Sequence, residues 1–210
     1  MIDAIYKDHL DRFWDRCGAQ VARAGVSANA VTLIGLGLGA ANALWFMDHR
    51  NTILFGLLLA LTELLDNVDG AVARVTGQSS RAGAYLDAAT DRYKELFPLL
   101  AIAYVTDAWL VCFLAITGSL LVSYNHARAV MEGVTGSPTK RGLPDLFERF
   151  ERVATLCVGL VASPLLPADL AFGRDFLFLT LCILAAMSHI TALQRLVRGW
   201  QFLQAAGPRP

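Results

Sequence analysis

Long apolar stretches, each close to the length a bilayer requires, alternate with short polar clusters along most of this 210-residue chain. The spans run Ala28–Met47, Thr52–Val75, Arg81–Val105 (polar at its start and apolar from Leu96 on), Ala108–Ala129, Phe147–Ser163 and Phe176–Val197. The breaks fall at Asp48–Asn51, Thr76–Ser80, Thr106–Asp107, Glu132–Asp145 and Pro164–Arg174, all polar or turn-forming segments. A bilayer core of about 30 Å is crossed by ~20 helical residues, so the pattern predicts six membrane-crossing helices. Only a helix satisfies its own backbone groups within such a span, so an all-α fold follows. Residues 2–22 follow another rule. Ile2, Tyr6, Leu10, Phe13, Cys17 and Val21 recur at helical spacing, opposite Asp3, Lys7, Asp11 and Asp15. That is an amphipathic helix, expected to lie on the membrane surface. Charges run through it, so it does not read as a signal peptide.

Composition agrees: 55% of residues are hydrophobic and 17% are charged, a low share for a water-soluble domain. The expected organisation is an interfacial helix over 1–25, a six-helix membrane domain over 26–200 and a short tail over 201–210. The best candidate for a mobile loop is Gly133–Pro144. Formal net charge is zero, which gives no sign of a nucleic-acid partner, and none is expected. The distribution of charge is more informative. Six spans place both chain ends on one side, and that side collects every Lys and Arg except Arg50 and Arg174, 16 of the 18. The positive-inside rule makes the crowded side cytoplasmic, with the protein in the cell membrane. Cys17, Cys112, Cys157 and Cys182 show no close pairing and read as small buried hydrophobes.

Four aspartates stand out against this background. Asp66 and Asp69 end the second span, and Asp87 and Asp91 begin the third. Ionised groups are costly in a bilayer and mark functional sites there. Spacings of three and four put each pair on one helix stripe, beside small residues that permit close approach. Two such helices joined by a short loop gather four carboxylates. An all-carboxylate set suits hard ions such as Mg²⁺ or Mn²⁺ rather than structural zinc. Shared carboxylates suit a pair of metals about 4 Å apart, the arrangement of phosphoryl-transfer sites. Arg74, one to two turns beyond Asp69, is placed to take a phosphate oxygen.

The full pattern resembles the signature of the CDP-alcohol phosphotransferase family, Asp-x2-Asp-Gly-x2-Ala-Arg-x8-Gly-x3-Asp-x3-Asp. All its fixed positions are met, by Asp66, Asp69, Gly70, Ala73, Arg74, Gly83, Asp87 and Asp91. The resemblance implies a six-helix membrane enzyme, commonly a homodimer, that moves a substituted phosphate from a CDP-linked donor to an alcohol and releases CMP. It further implies two divalent cations held by Asp66, Asp69, Asp87 and Asp91, with Asp91 also the general base on the acceptor hydroxyl. The nucleotide and diphosphate would be lined by Asp69, Gly70, Ala73, Arg74, Ser80 and Gly83. Members often carry a Thr-Pro-Asn-x-x-Thr segment near the cytidine. Here it reads Ser27-Ala28-Asn29-Ala30-Val31-Thr32, which keeps Asn29 and Thr32 and lacks the proline.

Three further segments bear on the acceptor: Ser123–Ala129, Phe147–Arg152 and Gln194–Arg198. Together they offer a cationic pocket for a phosphate-bearing alcohol. They look most like the inositol-phosphate branch, with its Ser-Tyr-x-Lys-Ala-Arg-Ala, Glu-Arg-x-Glu-Arg and Gln-Arg-Leu runs, except that His126 stands where lysine is typical. Arg152 and Arg195 are the first acceptor candidates, with Arg128, Arg149 and His126 behind them. The expected reaction is transfer of a phosphatidyl group from CDP-diacylglycerol to a polar alcohol, with inositol phosphate first and glycerol 3-phosphate or serine as alternatives. A membrane prenyltransferase and a divalent-cation transporter also place aspartates in membrane helices. The former needs Asp clusters on two distant helices, and the latter a polar path that the apolar outer halves here do not offer.

Overall fold

The computed structural model describes residues 2–134, 147–170 and 174–206. Most of the expected loop at Gly133–Pro144 therefore lies outside the described residues, as do the basic residues Lys140, Arg141 and Arg209. The described residues form seven α-helices and a single 3-10 turn at Ser163–Leu165: α1 (Ile2–Arg23), α2 (Ala28–His49), α3 (Thr52–Val75), α4 (Arg81–Thr106), α5 (Trp109–Met131), α6 (Arg149–Ala162) and α7 (Phe176–Ala206). Three of them are long and apolar enough to cross a membrane: α2, α5 and α7 over Phe176–Ala205. The helices α3 and α4 carry the charged motif, and α6 has 14 residues. At 1.5 Å per residue α6 is about 21 Å long, short of a bilayer core of ~30 Å.

The helices begin and end where local chemistry dictates. Ser27 caps α2, its hydroxyl oxygen accepting from the Ala30 N–H at 3.3 Å. Gly25, at φ +78°, closes α1, with the Val26 N–H bonded back to the Val21 carbonyl. Arg50 takes the same left-handed geometry at the end of α2, at φ 55°. The last helix runs further than expected. The tail predicted for 201–210 is helical through Ala206, because nothing between Trp200 and Ala206 breaks a helix before Gly207 and Pro208. Residues 207–210 lie outside the described residues.

The chain forms two compact units. The first comprises Met1–Asn51 and Leu57–Pro98. Its core holds Phe46 of α2 together with Leu59, Val68, Ala71 and Val72 of α3. Here α1 is not only a surface element. A Cβ on Gly18 would lie 2.8 Å from the Ala71 and Val72 backbone, so α1 sits directly on α3 at that point. The second unit comprises Thr52–Gly56 and Leu99–Pro210. Its helices approach through small residues. Gly118 of α5 faces Ser188 and His189 of α7, and Gly159 of α6 faces Thr180 of α7. Side chains also bond across α5 and α7. Asn125 donates to the Ala192 carbonyl at 2.9 Å, and His189 Nε2 lies 3.0 Å from the Leu114 carbonyl, which it meets as a donor. His189 is thereby a packing residue. All four cysteines are free thiols. Large apolar side chains face outward, among them Leu44, Leu110 and Leu193, each at least 60% exposed, which suits a hydrocarbon solvent.

Candidate active site

In the first unit the start of α2, the end of α3 and the start of α4 enclose a cleft of ≈ 290 Å³. Asn29 and Thr32 enter from α2, Asp69, Gly70, Ala73 and Arg74 from α3, and Ser80, Gly83 and Asp87 from the start of α4 and the turn before it. All eight residues expected at the nucleotide and diphosphate thus line one cavity. Ala28, Gln78, Ser79 and Ala84 complete the wall. The motif gave no sign of Gln78 and Ser79, because they fall in the gap between Arg74 and Gly83 where it fixes no residue type.

Each cleft residue is held for a visible reason. Asp69 is buried, and its Oδ2 accepts a 2.7 Å bond from the Thr32 hydroxyl. The proline missing from the Ser27–Thr32 segment therefore does not prevent Thr32 from reaching the site. Asp69 also lies within electrostatic reach of Asp87 and Asp66, so three of the four carboxylates form one negative neighbourhood. Ser80 Oγ accepts from the Gly83 N–H at 3.0 Å and secures the start of α4. A side chain at Gly83 would press on Ser80 Oγ and Asn29 Oδ1, at 3.2 and 3.3 Å, so glycine keeps that wall open. Arg74 lines the cleft from its rim, where Asp15 of α1 accepts from its Nε and Nη2 at 3.2 and 2.9 Å.

Asp66 and Asp91 are not on the cleft lining. Asp66 is bonded to the buried Lys94 of α4. Asp91 lies 3.9 Å from Arg92, which also pairs with Glu95 at 3.0 Å. Among the described residues no three His, Cys, Asp or Glu side chains converge closely enough to hold a metal ion, since Asp66 turns to Lys94 and Asp69 to Thr32. The donor set nonetheless fits a hard divalent ion: four carboxylates and a hydroxyl, with no thiolate or imidazole.

The acceptor candidates belong to the second unit. Arg152 is buried, and its Nη1 donates to the Phe147 carbonyl at 3.1 Å. Arg195 donates to the Val122 carbonyl at 3.1 Å and reaches Glu148 at 3.4 Å. Both are thus tied to the short segment that leads into α6. Arg149 opens that helix. Arg128 is paired with Glu132 one turn on, and His126 is exposed on α5.

Apolar helices long enough to span a bilayer, in one chain with a carboxylate-lined cleft, define an integral membrane enzyme. The family model for CDP-alcohol phosphatidyltransferase matches residues 25–193, and the chain belongs to that family. It is therefore a phosphotransferase of phospholipid synthesis. An archaetidylinositol phosphate synthase of Pyrococcus horikoshii is 38% identical over 120 residues, 57% of this chain and 63% of that protein's length. A phosphatidylinositol phosphate synthase of Corynebacterium glutamicum is 34% identical over 82% of this chain and 77% of its own. Among solved structures, the phosphatidylinositol phosphate synthase of Mycobacterium tuberculosis with CDP-DAG bound superposes with a TM-score of 0.76 at 25% identity, covering 90% of this chain and 94% of that one. The same enzyme in complex with manganese and citrate gives 0.75 at 25% identity, covering 89% and 88%.

Proposed function

We propose that this protein transfers a phosphatidyl group from CDP-diacylglycerol to inositol phosphate and releases CMP. The observation that carries the reading is the cleft: the eight residues expected at nucleotide and diphosphate line one cavity. The relatives support the acceptor. Those named for archaetidyl and for phosphatidyl products differ in lipid and share inositol phosphate. Manganese in the M. tuberculosis enzyme, and the all-oxygen donor set here, support divalent-metal chemistry.

On this reading Asn29 and Thr32 face the cytidine, while Gly70, Ala73, Arg74, Ser80 and Gly83 border the diphosphate. Arg74 holds Asp15 through Nε and Nη2 and offers Nη1, on the Gly70 side, to a phosphate oxygen. Asp66, Asp69, Asp87 and Asp91 hold two divalent cations, Mg²⁺ or Mn²⁺, which when bound neutralise the diphosphate and the leaving CMP. Asp91 takes the proton of the acceptor hydroxyl as its oxygen attacks phosphorus and the bond to CMP breaks. Arg152 and Arg195, with Arg128, Arg149 and His126, hold the acceptor's phosphate. The chain crosses the cell membrane six times, with α1 at the interface and the aspartates and both termini in the cytoplasm, a reading supported by the 16-to-2 distribution of basic residues. A lipid donor then keeps its tails in the bilayer while its nucleotide meets water.

The test is CMP release from CDP-diacylglycerol by purified protein offered inositol phosphate, glycerol 3-phosphate or serine in turn. Release with inositol phosphate alone is expected. Release with serine or glycerol 3-phosphate and none with inositol phosphate overturns the acceptor assignment.

A further inference from the structure

Lys94 is almost fully enclosed, with 4% of its side chain exposed, yet it is no part of the motif. Lysine is rarely buried without a partner. The partner here is Asp66, the first aspartate of the motif, 28 residues earlier. The Lys94 ammonium donates to Asp66 Oδ1, and that carboxylate is itself only 12% exposed. Gly35 of α2 closes the pair in: a Cβ there would stand 3.3 Å from Asp66 Oδ1 and 3.4 Å from Lys94 Nζ. Three helices thus build a fitted seat around one carboxylate and one ammonium.

We propose that Lys94 is the resident counter-ion of the aspartate cluster and sets how tightly the site takes a divalent metal. The inference rests on the reading of Asp66 as a metal ligand. A carboxylate withdrawn from water needs a compensating charge, and Lys94 supplies one from within the chain. The same ammonium opposes a divalent cation on that carboxylate, by competition for Oδ1 and by repulsion over a few ångströms. The seat therefore stabilises the site and holds its metal affinity down. Lys94 is a positioning residue, because it acts through Asp66.

Mn²⁺ alone is the probe, with free ion measured by electron paramagnetic resonance on purified protein in detergent. Lys94→Met is expected to bind Mn²⁺ tighter by about tenfold or more, since one opposing charge is gone. Its metal-free form should melt below wild type, and Mn²⁺ should restore the difference. Lys94→Arg keeps the charge and should stay within about threefold of wild type. Asp66→Asn should bind about tenfold or more weakly, as loss of a ligand demands. If Lys94→Met binds no tighter while Asp66→Asn binds weakly, the counter-ion role is overturned and the metal-ligand reading stands. If Asp66→Asn keeps wild-type affinity, the metal-ligand reading itself fails, and the proposal with it. Lys94→Gln, which retains a donor without the charge, is read in the same way where the methionine variant does not fold.

Discussion

Asp91 differs from its three companions in what surrounds it. Asp66 faces Lys94, Asp69 faces Thr32 and Asp87 lines the cleft, whereas Asp91 has Arg92 beside it, a cation held in turn by Glu95. A general base must be able to accept a proton, and replacing it with an amide removes that ability while keeping its size. Asp91→Asn should lower kcat by roughly 10²- to 10⁴-fold, the usual weight of acid–base catalysis. CMP release under saturating substrates measures this, with Mn²⁺ binding partly retained. Equal loss of metal binding and turnover would make Asp91 a ligand only. At this scale the sequence was informative where spacing is local. Intervals of three and four residues placed two carboxylates on each helix stripe, and six of the cleft residues, Asp69, Gly70, Ala73, Arg74, Gly83 and Asp87, stand at fixed motif positions. The partners it could not show are distant ones. Asp15 reaches Arg74 across 59 residues and Lys94 reaches Asp66 across 28, and no helical period connects such positions.

Among the elements, α1 and α6 deserve the closest tests. Asp15 ties α1 to Arg74, but both side chains are about half exposed, so the pair is screened by water. Asp15→Ala should therefore shift the KM for CDP-diacylglycerol by no more than about fivefold, given the ~1 kcal/mol ceiling of exposed ion pairs. Arg74→Ala should raise it about tenfold or more through loss of a charge-assisted bond to the diphosphate. Equal effects of the two would mean that Arg74 serves α1 rather than substrate. In α6, a Cβ on Gly159 would lie 2.5 Å from Thr180 Cγ2 of α7. Gly159→Ala should cost about 1–3 kcal/mol by overpacking, seen as a lower melting temperature in detergent, and Thr180→Ser should recover part of it. Helix positions were legible because apolar runs and polar breaks are strong local signals: the helix α3 covers the predicted Thr52–Val75. Ends set by capping were less so. The end of α2 extends to His49 because Arg50 adopts left-handed backbone, and α7 runs to Ala206 for want of a breaker.

For the molecule as a whole, the family match over residues 25–193 and the helices of the described residues agree with the all-α membrane fold expected from hydropathy. The count of crossings is the finer question. The helices α2, α5 and α7 qualify on length and composition, while α3 and α4 carry charges because they carry the site. A sequence signal for membrane insertion is thus weakest where chemistry is densest. The proposed six crossings would put both termini in the cytoplasm, so tags at either end should resist protease added outside intact cells. An odd number of crossings would expose one of them. The reaction itself is read out by mass spectrometry of the lipids formed from CDP-diacylglycerol and inositol phosphate. Phosphatidylinositol phosphate and CMP in equal amounts, formed only with Mg²⁺ or Mn²⁺ present, is the predicted result. CMP without a new phospholipid, or no CMP at all, would contradict it.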